Sequence, residues 1–317
     1  MGTPTRTATL LPMLLPVPAY EPASLSWYLK LAFVWCSWLS WPLLGRQVWR
    51  LIRHWARWSV ARRALALALL PVVLVFIDAR FIERYRITVQ ETAIPIGVPA
   101  RVALISDLHL GLYKSPAYLD RVVDRLNELK PDAVLIAGDL TYDPDRDLAT
   151  LLAPLKRLTM PAYSVPGNHD EERPGPRLDH VLHHTLESLG VTPVEYTHAD
   201  LGSFTLVGMG DRWAGKDGMA PVQAAPRGKP IVVLMHNPDS AMQLKPGMAS
   251  LVLAGHTHGG QTRLPGFYKK VINSEHGFDR GLHAWAPVPV YVTSGMGESR
   301  VPLRWLVPPV IDILDLH

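Results

Sequence analysis

The segment VALISDLHLG, residues 102–111, sets the pattern on which the rest of the chain is built. Its aliphatic run Val102–Ile105 reads as a short buried strand, and it leads at once into Asp107 and His109. The same construction returns downstream. VLIAGDL (134–140) delivers Asp139, SVPGNHD (164–170) delivers Asn168 and His169, VVLMHNPD (232–239) delivers His236, and LVLAGHTHGGQ (251–261) delivers His256 and His258. A buried strand that ends in Asp, Asn or His carries that side chain to one rim of a sheet, and open α/β sheets bind ligands at that rim. Repetition of the pattern predicts one polar focus.

The donor types narrow the chemistry. Carboxylates, imidazoles and an amide oxygen, with no thiolate, suit Mn, Fe, Zn or Mg better than a structural cysteine–zinc site. Asp107, His109, Asp139, Asn168, His236, His256 and His258 are too many ligands for one tetrahedral ion and suit two ions sharing a bridge. Two-metal hydrolases hold their ions roughly 3.5–4 Å apart and clamp the attacking and leaving oxygens of an in-line displacement. Asp139 can bridge, because a carboxylate has two oxygens to offer. Asp107 and His109 are one residue apart, so an extended backbone would project both to the same side. These residues predict a dinuclear, metal-dependent phosphoric ester hydrolase. The motifs GxSxG and GxxxxGK[ST] are absent from the sequence, which removes serine-hydrolase and P-loop chemistry.

The ordered series SDLH, GDL, GNHD, MHNPD and GHTHGG resembles the calcineurin-like metallophosphoesterase superfamily. GHTHGGQ and the late SGMGESRVPLRW (294–305) are most similar to its bacterial, membrane-associated YkuE/YaeI-like branch. The resemblance covers residues from about Phe81 to the C-terminus. It implies two packed β-sheets flanked by helices, the metallophosphatase four-layer sandwich. It assigns one ion to Asp107, His109, Asp139 and His258, and the other to Asp139, Asn168, His236 and His256. It makes His169 the group that stabilises or protonates the leaving oxygen, with Asp170 as the orienter of its imidazole. Manganese is the first choice of metal. Lipid pyrophosphate is one substrate precedent in the family and simple phosphodiesters are another.

The first eighty residues need a separate account. Three regions are expected: a loose N-terminus (1–24), a membrane-associated helical segment (25–82) and the catalytic domain (83–317). Trp27, Trp35, Trp38, Trp41, Trp49, Trp55 and Trp58 crowd the early chain, and Arg46, Arg50, Arg53, Arg57, Arg62 and Arg63 follow one another with no acidic residue between them. Much of the chain's formal net charge of +4 therefore belongs to the appendage. Leu25–Leu44 is about the length of a bilayer-spanning helix, and Ala64–Ile77 is shorter, about the length of a core or re-entrant helix, unless it extends through Phe81 and Ile82 with Asp78 and Arg80 snorkelling near its end. A rival reading makes them core helices or an amphipathic pair lying at the interface. If both span, the topology favoured here, the arginine-rich loop belongs in the cytoplasm and the catalytic domain emerges on the periplasmic side of the inner membrane; the alternative is a domain facing the cytoplasm. The lone Cys36 forms no internal disulfide.

Beyond residue 82, strand and helix patterns alternate as in an α/β fold. Helical spacing covers Ala117–Lys130, Leu148–Leu158 and Leu178–Leu189, and strands are expected at Arg86–Pro95, Phe204–Val207, Val288–Val292 and Val310–Leu314. His180, His183 and His184 fit a solvated helix face. Asp143, Asp145 and Asp147 are expected to crowd one rim, and residues 213–230 to cap the site. Arg300 and Arg304 are candidates to meet phosphate, although no substrate-binding residue is assigned. The partners expected are a phosphorylated, lipid-linked substrate and the membrane. Rival readings are a membrane-bound scaffold with a non-catalytic metal site and a nucleic-acid phosphodiesterase; the Trp interleaved with the arginines favours lipid over nucleic acid.

Overall fold

Aliphatic runs and amphipathic helices alternate after Arg86, and the alternation folds into two stacked sheets. The computed structural model describes residues 18–171 and 177–317; the loose segment expected over 1–24 lies outside the described residues up to position 17. The strands are β1 (Thr88–Ala93), β2 (Arg101–Ile105), β3 (Leu110–Gly111), β4 (Ala133–Ala137), β5 (Thr141–Tyr142), β6 (Ala162–Val165), β7 (Val191–Pro193), β8 (His198–Asp200), β9 (Thr205–Gly208), β10 (Ile231–Leu234), β11 (Leu251–Ala254), β12 (Gly281–His283), β13 (Val290–Val292) and β14 (Val310–Asp315). The helices are α1 (Leu25–Ser37), α2 (Ser40–His54), α3 (Val60–Ile77), α4 (Pro116–Leu129), α5 (Leu148–Leu152), α6 (Asn168–Glu171), α7 (Asp179–Ser188) and α8 (Ala220–Ala224). One six-stranded sheet has the order β1-β14-β2-β4-β6-β7 and the other β12-β13-β11-β10-β9-β8, with β3 and β5 as a small separate ribbon. β2, β4 and β6 run parallel, as do β9, β10, β11 and β13.

Strand parity sorts the core into layers. Val102 and Leu104 of β2 and Leu135 of β4 point between the sheets, where they meet Leu206, Val232, Leu234 and Leu253. Their neighbours Ala103, Ile105, Val134 and Ile136 point outward onto Leu119, Val122 and Leu126 of α4 and Leu151 of α5. The outer face of the second sheet is covered by Val222 of α8, Ala241, Leu244 and Phe278. The expected helical flank is thus complete on one side and thin on the other. Pro238, Pro246 and Gly247 hold the β10–β11 connection in turns too short for a long helix. The helix expected over Leu148–Leu158 likewise gives way at Ala153 to a 3₁₀ turn.

The N-terminal helices depart from the spans read in the sequence. Leu25–Leu44 breaks between Ser37 and Ser40, and the 13 residues of α1 reach only about 20 Å at ~1.5 Å per residue, short of a hydrocarbon core of ~30 Å. α1 packs on the two-sheet body instead: Trp27 and Leu31 are buried, and Lys30 Nζ lies 2.6 Å from Asp143 Oδ2. The long apolar helix is α3, which continues through π and 3₁₀ turns so that Val60–Tyr85, 26 residues, has the length and composition to cross a bilayer. α2 runs back antiparallel to α3. The Trp41 ring lies tilted, 5.7 Å from that of Phe81, near one end, and the Arg63 guanidinium lies 5.2 Å from the Trp55 ring at the other. The two helices diverge around an open cleft of about 980 Å³ lined by Leu44, Leu51, Leu69 and Val73. Helical spacing puts Arg46, Arg50 and Arg53 on one side of α2 and the exposed Trp41, Val48 and Ile52 on another.

Candidate metal centre

Every sequence-predicted donor follows the carboxyl end of a parallel strand: Asp107 and His109 after β2, Asp139 after β4, Asn168 after β6, His236 after β10 and His256 and His258 after β11. Two sheets contribute, and their ends meet. His236 Nδ1 donates to Ala137 O at 2.8 Å, and the His256 amide donates to Asp107 Oδ2 at 3.1 Å, so each sheet braces the other's donors. The backbone here is not extended as expected for Asp107 and His109. Asp107, His109, Asp139, His256 and His258 all adopt positive φ, between 48° and 70°, a region costly for non-glycine residues and concentrated at functional sites. That geometry turns His256 and His258 apart despite their spacing. Gly167 and Gly255 allow the close approach, because a Cβ at either would collide with Asp139 or with Ser106 and Asp107.

The donors fall into two adjoining sets. His258 Nε2 lies 3.3 Å from Asp107 Oδ1 and 3.1 Å from His109 Nε2. His236 Nε2 lies 3.1 Å from both Asn168 Oδ1 and His256 Nδ1. Between them, Asp139 Oδ2 is 3.6 Å from His109 Nε2 and 3.2 Å from His236 Nε2. Donor atoms of Asp107, His109 and His258 lie within 4.8 Å of one another, as do those of Asp107, Asp139 and His236 and those of His109, Asp139 and His169. Asp107 Oδ1 is buried with no hydrogen-bond partner among the described residues, although its other oxygen accepts from Ser106 Oγ at 2.7 Å. A buried carboxylate oxygen facing imidazole nitrogens is the environment a cation completes.

Electrostatics prepare three of the imidazoles as ligands and set the fourth apart. Burial pushes the imidazoles of His109, His256 and His258 below their ordinary range, into the neutral form a metal ligand requires. Burial also acts on His236, but the carboxylates of Asp139, Asp107 and Asp211 outweigh it and hold that ring well above its usual value. Burial would raise Asp139, yet His236, His169 and His109 pull it well below the carboxylate range.

A calcineurin-like phosphoesterase family matches residues 100–260. The chain belongs to this family. It is 33% identical over 231 residues to Phosphodiesterase YaeI of Escherichia coli K12, covering 69% of this chain and 83% of that protein. It is 28% identical over 255 residues to the metallophosphoesterase YkuE of Bacillus subtilis 168, covering 76% and 87%. A zebrafish (Danio rerio) transmembrane protein with metallophosphoesterase domain is 32% identical over 225 residues, covering 64% of this chain and 50% of that protein. The protein is a metal-dependent phosphoric ester hydrolase of the branch to which its sequence motifs point.

Around this metallophosphoesterase centre the structure corrects several local expectations. Asp170 does not orient His169. Its carboxylate accepts from the amides of Leu140, Thr141 and Gly167 and from Thr141 Oγ1 at 2.8–3.1 Å, which fixes the loop that carries Asp139. Burial and the neighbouring Asp139 push its carboxyl up to about 7. His169 stands half-buried, its ring 5.1 Å from that of His109 and 4.8 Å from that of Tyr142. Arg304 is fully buried and donates to the carbonyls of Ser294, Gly297 and Val307, a structural role, whereas Arg300 is exposed beside Tyr142. The three acids after GDL do not form a cluster: Asp143 pairs with Lys30, Asp145 with Arg146, and Asp147 caps α5 through the Thr150 amide. His183 and His184 lie on an exposed face of α7 beside Glu187.

Sequence reasoning missed the walls of the site. Tyr142 packs edge-on to His109, with Lys30 of α1 4.4 Å from the tyrosine ring. In the sequence Lys30 is only a break in an apolar run. Trp213, held by Asp211 Oδ2 at 2.7 Å from its amide, packs edge-on to His256, and the Asn273 side-chain amide lies 2.9 Å from His256 Nε2. Only the Gly/Pro-rich composition of residues 213–230 signalled a cap there.

Proposed function

We propose that the protein hydrolyses a phosphodiester or pyrophosphate bond of a membrane-resident, lipid-linked substrate, with two divalent cations as cofactors, Mn preferred over Fe, Zn and Mg. The observation that carries this reading is the partnerless Asp107 Oδ1 turned toward two imidazole nitrogens, with Asp139 between two sets of donors. In it, Asp107, His109, Asp139 and His258 hold one ion, and Asp139, Asn168, His236 and His256 hold the other. Bound there, divalent cations supply Lewis acidity and lower the pKa of water toward neutrality. The hydrogen bond from His236 Nδ1 to Ala137 O leaves Nε2 free to ligate. His169, at the mouth, holds or gives the proton of the leaving oxygen, and Lys30 adds positive charge to the wall beside it.

Three observations support the membrane-linked substrate. α3 is long and apolar enough to enter hydrocarbon, the zebrafish relative is named as a transmembrane protein, and the E. coli relative is named as a phosphodiesterase. α1 lies on the catalytic body, so α3 could cross only if α2 crossed with it. That would take Arg46, Arg50 and Arg53 through hydrocarbon at about 3 kcal/mol each near the centre. A hairpin lying in the interfacial plane keeps these arginines at the headgroups and, because arginine favours the cytoplasmic face, leaves the body in the cytoplasm, whereas two spans would put it outside. Protease accessibility in intact and permeabilised cells separates the two. Hydrolysis of aryl phosphate mono- and diesters with and without Mn, followed by a panel of lipid pyrophosphates and phosphodiesters, tests the chemistry. Equal rates for wild type and Asp139→Asn would end the proposal.

A further inference from the structure

We infer that the segment Leu264–Val271 is a second bilayer contact, seated on an anionic lipid surface beside the mouth of the metal centre; this rests on the reading of α3 as membrane-embedded. Leu264, Phe267 and Val271 are 52%, 51% and 49% exposed, and Lys269 and Lys270 are exposed on the same turn. No acidic residue occurs between Arg263 and Ser274. Large apolar side chains projecting together with lysines suit the headgroup layer, where apolar tips enter the acyl boundary and ammonium groups meet lipid phosphate.

The projection is firmly rooted. Arg263 makes two hydrogen bonds to Asp279 at 2.6 and 3.0 Å, donates to Gly259 O at 2.9 Å and stacks 3.9 Å over the Tyr268 ring. At the other root, Asn273 lies against His256. Both roots therefore touch the loop that carries His256 and His258.

The segment also lies next to the end of the apolar helix. The Arg263 amide donates to Trp305 O and the Trp305 amide to Gln261 O, at 2.9 and 3.1 Å. The next amide, Leu306 N, donates to Glu83 Oε2 at 2.9 Å, and Arg304 N donates to Ala79 O at 3.0 Å. Glu83 and Ala79 belong to the turns that close α3. Ile82, beside Glu83, and Leu306, bonded to Glu83, are exposed as Leu264 and Phe267 are, so exposed apolar residues occur at both ends of this chain of contacts. A phosphate ester in the headgroup layer would meet the metal centre from this side.

The full-length protein in nanodiscs containing phosphatidylglycerol provides the test. In a Cys36→Ser background, an environment-sensitive fluorophore is placed in turn at Phe267→Cys, at Leu69→Cys within α3 and at Glu187→Cys on α7. Shallow doxyl-lipid quenching at position 267, absent at 187, is the expected result. Lys269→Gln with Lys270→Gln should weaken the docked state by about fivefold per lysine. Phe267→Asp should slow turnover of an ester presented in the bilayer and leave a soluble aryl phosphodiester unaffected. Quenching at 69 with none at 267 overturns the inference and leaves the embedded helix intact. A blue shift at 267 without lipid quenching overturns it in favour of a protein partner. No quenching at 69 defeats the embedded-helix reading, and this inference with it.

Discussion

The catalytic body and the N-terminal hairpin invert the usual burial rule in opposite directions. In the body, Asp107, His109 and His236 are completely buried; in the hairpin, Ile52 and Val60 are 79% and 80% exposed. Buried charge and exposed apolar surface are both costly in water unless a partner completes them. The partners differ in kind. The body needs cations at positions that the donors on its positive-φ loops fix, whereas the hairpin needs only an apolar surrounding, which imposes no such geometry.

The comparison breaks first at the metal centre. Chelation of divalent ions, or Asp139→Asn, should lower kcat/KM by more than about 100-fold, since loss of even an indirect partner in a metal site costs roughly 10–100-fold. Activity surviving dialysis against chelator would mean that the buried charges are completed by protein alone. In the hairpin, Leu69→Arg should cost about 3 kcal/mol of membrane insertion; carbonate extraction should release the variant and retain wild type, with soluble-substrate activity unchanged.

Asp312 sharpens the contrast, because it is buried in the body but far less dependent on a cation. The Tyr291 hydroxyl donates to its Oδ1 at 2.8 Å, and burial pushes its carboxyl up from 3.8 to about 6. The folded protein thus holds this proton more tightly than the unfolded chain. Stability should fall as pH rises from about 4 to about 6, by about 3 kcal/mol from this group. Asp312→Asn should flatten that part of the pH–stability curve, measured by denaturant unfolding, equally with and without metal. The smallest effect is expected at Asn273→Ala, which should raise the Mn concentration for half-maximal activity about tenfold and leave the rate at saturating Mn close to wild type. An unchanged Mn requirement would show that Asn273 only roots its loop.

Most of the body was legible in the sequence because both of its signals are local. A strand's aliphatic run and the polar residue that ends it are adjacent, so Asp107, Asp139, Asn168, His236 and His256 could be picked out as candidate donors one block at a time, and the fold brings them together. The left-handed turns at Asp107 and His109 were not legible, because Asp and His, although enriched among non-glycine residues at positive φ, adopt negative φ far more often. Nor was the work of Asp170, whose carboxylate faces amides thirty positions away at Leu140 and Thr141.

The sequence by itself determined that a set of Asp, Asn and His donors ends a series of buried strands and that an apolar, arginine-rich segment precedes it. Tertiary structure alone decided which stretch of that segment becomes the long helix. The break at Ser37–Ser40 and the extension of α3 to Tyr85 depend on where Trp27, Leu31 and Glu83 find partners on the body. Composition can count apolar residues, but it does not say which of them a folded neighbour will cover.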